Sequence, residues 1–204
     1  MKKLLIMLIT LTCCFTSLSH AKIPNFYVTL GIGKPMAPED MKNRYLSGAH
    51  VGIMTGLPLT KRLEIVADLS FQKAIFDSRG FRGTLPKDEK DNYVISGHDA
   101  SFFTAMLKAK ATMSATGQDA HQSYLFAGPG LFLSKTGSIE WLHEDDDGEI
   151  PGKTETVPGA TLGLGIELNL ESTIFVIELG AVMGFTESET TVILPIRLGL
   201  ALKP

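Results

Sequence analysis

The chain has 204 residues, enough for one domain or two small ones, with 44% hydrophobic and 20% charged residues. Its formal net charge is −3 and no basic patch breaks that balance, which argues against a nucleic-acid binder. Its two cysteines, Cys13 and Cys14, both lie near the start, so no disulfide framework is available to the rest of the chain.

Residues 1–21, MKKLLIMLITLTCCFTSLSHA, open with two lysines, continue with an apolar run from Leu4 to Leu11, and end on Ser19-His20-Ala21. This is the layout of a cleavable secretory signal peptide. Lipid attachment at Cys13 or Cys14 is the competing reading, but neither follows the small residue that such a site usually shows. Cleavage after Ala21 would leave a β-rich domain of residues 22–204, and loss of Lys2 and Lys3 would take the net charge from −3 to −5.

The segments that follow alternate between apolar and polar residues with period two, the signature of half-buried strands. In residues 26–33, FYVTLGIG, Val28, Leu30 and Ile32 oppose Tyr27, Thr29, Gly31 and Gly33. In 50–57, HVGIMTGL, Val51 and Ile53 oppose Gly52, Met54 and Gly56. In 63–72, LEIVADLSFQ, Ile65, Ala67, Leu69 and Phe71 oppose Glu64, Val66, Asp68, Ser70 and Gln72. In 101–113, SFFTAMLKAKATM, Phe103, Ala105, Leu107, Ala109 and Ala111 oppose Lys108 and Lys110. Residues 123–133, SYLFAGPGLFL, are apolar on both faces, so their orientation is open. In 161–170, TLGLGIELNL, five aliphatic residues oppose Thr161, Gly163, Gly165, Glu167 and Asn169. In 174–185, IFVIELGAVMGF, Glu178 shares a face with Val176, Gly180 and Gly184. In 191–203, TVILPIRLGLALK, six apolar residues oppose Arg197, Gly199 and Lys203.

Eight strands result, and their connections alternate in length. Those over 34–49, 77–100 and 134–159 are long, while 58–62, 114–122, the turn at Glu171 and 187–190 are short. Small turns at one end and long loops at the other are the habit of a transmembrane β-barrel.

On these residues the chain resembles the small eight-stranded outer-membrane barrels, the group that includes the transmembrane domain of outer membrane protein A. The resemblance is carried by YVTLGIG after a signal sequence, YLFAGPG at 124–130, GATLGLGIELNL at 159–170 and the closing ILPIRLGLAL, and it spans about Phe26 to Leu202. It implies an all-β, eight-stranded antiparallel up-and-down transmembrane barrel in the outer membrane of a Gram-negative cell. Members of the family usually end on an aromatic residue, whereas this chain ends Leu202-Lys203-Pro204.

A barrel of eight strands has an interior that side chains can fill, so no open channel is expected. The polar faces then form a structural ion network of Glu64, Asp68, Lys108, Lys110, Glu167, Glu178 and Arg197, joined by Ser70, Gln72, Thr161 and Asn169. Glu167, Glu178 and Arg197 lie on consecutive strands, so they are expected to meet across the lumen. A carboxylate such as Glu178 cannot be buried without a partner, which makes ion pairing the reason for its place in an apolar run. Gating of a narrow pore is the sharper reading of the same residues. The inward glycines, among them Gly31, Gly52, Gly163 and Gly180, are expected to relieve crowding; GIGK at 31–34 lacks the spacing of a phosphate loop.

Three further features carry weaker chemistry. HEDDDGEIPGK at 143–153 places Asp145 and Asp147 at calcium-loop positions, but His143 and Thr154 stand where carboxylates are needed. His98, Asp99 and Ser101 are close in sequence and could serve a lipid-modifying hydrolase, provided that base and nucleophile lie within hydrogen-bond reach. Trp141 is either an exposed recognition residue, packing within its loop, or part of an extended strand.

The reading is an exported outer-membrane barrel with a structural or adhesive role and no catalysis, cofactor, metal or nucleic-acid partner. Its environment is outer-membrane lipid, and a surface ligand would be met through loops 34–49, 77–100 and 134–159. Two alternatives stand beside it: a soluble periplasmic barrel of lipocalin type, with the apolar stripes turned inward around a ligand, and a lipid-modifying enzyme.

Overall fold

A computed structural model describes residues 25–85, 93–115, 121–142, 147–170, 172–186 and 189–202. The signal segment, residues 143–146 of the acidic loop and the final Lys203-Pro204 lie outside these described residues.

In chain order the elements are β1 (Asn25–Ala37), α1 (Glu39–Arg44), β2 (Gly48–Pro58), β3 (Leu63–Ala74), α2 (Ser78–Arg82), β4 (Val94–Gly97), β5 (Ala100–Ala115), β6 (Gln122–Thr136), β7 (Ile139–Leu142), β8 (Asp147–Ile150), β9 (Lys153–Asn169), β10 (Thr173–Phe185) and β11 (Thr190–Leu202). Eight of these strands close a barrel in the order β1-β11-β10-β9-β6-β5-β3-β2, each pair antiparallel. The ladder between β1 and β11, running from Tyr27↔Ala201 to Ala37↔Val192, removes the two edges an open sheet would expose. The fold is an all-β, eight-stranded, antiparallel up-and-down barrel of the transmembrane type. The shortest of its strands, β2, has 11 residues, which meets the roughly 9–11 that a tilted strand needs to cross a bilayer.

The alternation decides which side of the sheet each residue faces, and the charged face turns inward. Asp68, Lys108, Glu178 and Arg197 are all at most 3% exposed, whereas Leu30, Leu131, Leu162 and Leu200 are more than 50% exposed on the outer wall. A lipocalin arrangement would require the reverse, so this structure excludes the inverted barrel. In β6, whose orientation the sequence left open, Tyr124, Phe126 and Phe132 point inward and Leu125 and Leu131 outward. The eight-stranded lumen has room for these rings because glycines face them. A Cβ on Gly163 would overlap the Phe126 ring, and one on Gly165 would overlap the Tyr124 ring.

The β2–β3 and β9–β10 turns share one end of the barrel, while the short β10–β11 turn, where Thr186 N–H donates to the Glu189 carbonyl at 3.0 Å, lies at the other end among the long connections. Leu59 N–H donates to the Leu63 carbonyl at 2.9 Å, and Leu170 N–H to the Thr173 carbonyl at 2.9 Å. At the other end the described parts of the long connections form further strands and short helices, which the sequence reading did not foresee. β6 and β9 stay paired up to Thr136↔Lys153, so much of the expected 134–159 loop is barrel wall. Beyond it β7 pairs with β8 and also with β4, which comes from the 77–100 connection, forming a three-stranded sheet above the barrel. Four-residue strands such as VISG, IEWL and DGEI are too short to show a period, and VISG takes its partner, IEWL, from a connection remote in sequence.

Candidate functional site

The interior charges fall into two tiers. The first is a quartet that joins opposite walls. Glu178 and Arg197 are directly paired neighbours on β10 and β11, and Arg197 reaches Glu178 Oε2 at 2.6 Å through one guanidinium nitrogen and Asp68 Oδ2 on β3 at 2.6 Å through another. Lys108 on β5 closes the figure, with its Nζ 2.5 Å from Asp68 and 3.5 Å from Glu178. Two acids and two bases make the quartet neutral, as a low-dielectric interior requires. The Tyr124 hydroxyl donates to Glu178 Oε1 at 3.0 Å, and the Lys108 ammonium lies 4.5 Å from the centre of the Phe126 ring.

The second tier lies toward the short-turn end. Lys110 Nζ sits 2.8 Å from Glu64, its direct cross-strand neighbour, and 2.5 Å from Glu167. The Tyr27 hydroxyl donates to Glu167 at 3.1 Å, and the Tyr124 ring, 4.5 Å from Lys110, separates the two tiers. The expectation that Glu167 would meet Glu178 and Arg197 is therefore corrected: it pairs with Lys110. Consecutive strands share an inner face, but register sets height along the lumen, and Glu167 faces Val176 while Glu178 faces Gly165. This tier lines a mouth of about 210 Å³ with Asn25, Arg62 and Gln122.

Beyond the quartet toward the long loops, Ser70 and Thr104 share a 2.6 Å hydrogen bond, and Gln72 and His50 are buried beside them. Thr161 donates to the Ala181 carbonyl at 3.1 Å. Tyr27, Tyr124, Phe126 and His50 were missed as interior participants by sequence reasoning that searched for charge. The signal for them was parity: Tyr27 stands two residues before Thr29, and Tyr124 and Phe126 are two apart on one face.

The outer sheet is tied to the barrel by aromatic contacts. Tyr45, Phe76, Phe81 and Trp141 form a chain of rings with centroids 6.2, 6.2 and 5.8 Å apart. Trp141 is thus on a strand and packs against Phe81 of another loop. The Asp77 side chain caps α2 by accepting from Arg79 N–H at 3.1 Å, and Asp77 N–H donates to the Arg44 carbonyl at 2.8 Å.

His98, Asp99 and Ser101 are near one another but do not form a nucleophile and base. The His98 ring nitrogen Nδ1 lies 3.3 Å from the Ser138 carbonyl. Asp99 accepts from Phe76 N–H at 2.9 Å and pairs with Lys73 at 2.9 Å. These two contacts, the Phe76 amide first, hold the Asp99 carboxyl below its ordinary range. Among the described residues no group of three or more His, Cys, Asp or Glu side chains could hold a metal; Asp145 of the calcium-loop reading lies outside them.

No family model and no curated protein matches the sequence. Solved structures do match the fold. Neisserial surface protein A superposes with a TM-score of 0.54 at 11% identity, covering 90% of this chain and all of that one. A major outer membrane protein from Thermus thermophilus gives 0.53 at 14% identity, covering 89% and 99%. The architecture is that of small outer-membrane barrels.

Proposed function

We propose that the protein is exported with removal of residues 1–21, resides in the outer membrane as a plugged barrel, and presents a rigid surface layer for structural or adhesive contact. The observation that supports this most is the inversion of the wall. A belt of side chains including Leu30, Ile53, Phe103, Leu164, Leu179 and Leu198, each 43–62% exposed, surrounds the barrel. A soluble monomer does not expose a continuous apolar surface of that extent, because patches beyond a few hundred Å² drive association. In lipid the same belt is satisfied, and the charges are held away from it in the lumen.

The filled lumen supports a role in contact rather than transport. The quartet and the rings of Tyr124, Phe126 and Phe132 occupy the cross-section where a channel would run. The surface of contact is the layer of α1, α2 and the β4-β7-β8 sheet, where Phe81 and Ile139 are buried and the ring chain ties separate loops together. Preordered loops lose less conformational freedom on meeting a partner than free ones do.

The experiment is to fractionate cells and run the outer-membrane fraction, heated and unheated, on a gel, then reconstitute the protein in a planar bilayer. A heat-dependent mobility shift with no steady conductance is the expected result. Recovery in the soluble periplasm would overturn the membrane reading, and a stable open channel would overturn the plugged one.

A further inference from the structure

At the long-loop rim of the outer wall the apolar belt stops abruptly in one sector. Phe71, Phe103 and Leu133 are aligned neighbours across β3, β5 and β6. The next outward row along the same strands is Lys73, Ser101, Lys135 and, on β9, Thr154. Lys73, Ser101 and Lys135 thus sit one step beyond a hydrocarbon wall, and on β9 the polar row continues through Thr154 and Thr156. Lys73 and Lys135 are two strands apart, roughly 10 Å, with the small Ser101 between them. Side chains of that length can converge over the serine, and together with His98 and Asp99 they line an open cleft of 490 Å³. Among the described residues Lys135 has no ion-pair partner, and Lys73 is 56% exposed despite its contact with Asp99. Two ammonium groups against one carboxylate leave the cleft with an excess of one positive charge.

From this arrangement we infer that the Lys73-Ser101-Lys135 row is a headgroup site for a phosphate-bearing lipid of the leaflet on the loop side, its acyl chains lying along Phe71, Phe103, Leu69 and Leu131. The inference rests on the membrane reading above. The occupant is a lipid rather than free phosphate because charge and hydrocarbon surface are continuous on the same strands: the phosphate lies between the ammonium groups while the tails cover residues that otherwise face nothing. Lysine holds phosphate as a point charge, and Ser101 can add a hydroxyl donor. The Asp99 carboxylate opposes the anion, sharing Lys73 with it.

The test is native mass spectrometry of the barrel released from detergent after exposure to a bis-phosphorylated glucosamine lipid or to the same lipid with its phosphates removed. The wild-type protein should retain the phosphorylated form only. Near a membrane surface each lysine contributes on the order of 1 kcal/mol, about fivefold, so Lys73→Gln/Lys135→Gln should weaken retention about 30-fold. Lys61→Gln, at the opposite end of the barrel, should leave it unchanged. Asp99→Asn keeps an acceptor for Phe76 N–H and removes the opposing charge, so it should strengthen retention several-fold, which a merely structural role for this cluster would not produce. Equal retention of the dephosphorylated lipid, or no loss in the double variant, overturns the site. Displacement by millimolar inorganic phosphate overturns its assignment to a lipid. The heat-dependent gel shift is read on every variant: its loss in the wild type sinks the membrane reading, whereas a normal shift with unaltered lipid retention sinks only this inference.

Discussion

Arg197→Met removes the cation that both carboxylates of the quartet share. Arg197 contacts Asp68 and Glu178 at 2.6 Å each, and its side chain is 2% exposed. In its absence Lys108, at 2.5 and 3.5 Å, is left as the single quartet cation against two acids. Breaking a buried pair by deleting one member costs about 3–5 kcal/mol, because the remaining charge is uncompensated. Urea titration of the refolded barrel in micelles, followed by unheated gel mobility, should show an unchanged slope and a midpoint lowered by that free energy divided by the slope. The combination Asp68→Asn, Lys108→Met, Glu178→Gln and Arg197→Met removes every charge together and should cost less than Arg197→Met alone, since no ion is stranded. A single variant within about 0.5 kcal/mol of wild type, or a quadruple variant that costs the sum of its parts, would refute the account of the quartet as a mutually compensated unit.

Three other outcomes are expected. Leu198→Arg, next to Arg197 but 48% exposed on the outer wall, should destabilise by about 2–4 kcal/mol in lipid, measured by the same titration; a harmless arginine there would mean that this face does not meet hydrocarbon. Phe81→Ala, which removes the ring between Phe76 and Trp141, should speed protease cleavage of the outer layer while the heat-dependent shift survives, and unchanged cleavage would show that the ring chain does not order the loops. Because Asp99 ionises below its ordinary range, its anchoring of Phe76 is present in full above about pH 3.9, the unfolded value, and is lost as pH falls through the depressed folded value. Hydrogen exchange at the Phe76 amide should therefore accelerate only below that range, beyond the intrinsic pH dependence of exchange; acceleration near neutral pH would contradict it.

Much of this molecule was legible in its sequence because the period of a strand is a local property. Residues two apart share a face whatever the rest of the chain does, so TLGLGIELNL and TVILPIRLGLALK disclosed their two faces, and the charges they carry, without a neighbour in view. Which side a face turned to was not local. SYLFAGPGLFL is apolar on both faces, and the closed barrel turns Tyr124 and Phe126 inward, where Gly165 and Gly163 leave room for their rings and Glu178 accepts from the Tyr124 hydroxyl. Partner choice was not local either. Glu167 meets Lys110 rather than Arg197 because strand tilt and register place side chains at different depths of the lumen, a quantity that no single strand carries. The same holds for the small outer sheet, where four-residue strands from separate connections acquire their structure only from one another. Alternation determined the strands and their faces; closure of the barrel decided the height at which each charge came to rest, and therefore its partner.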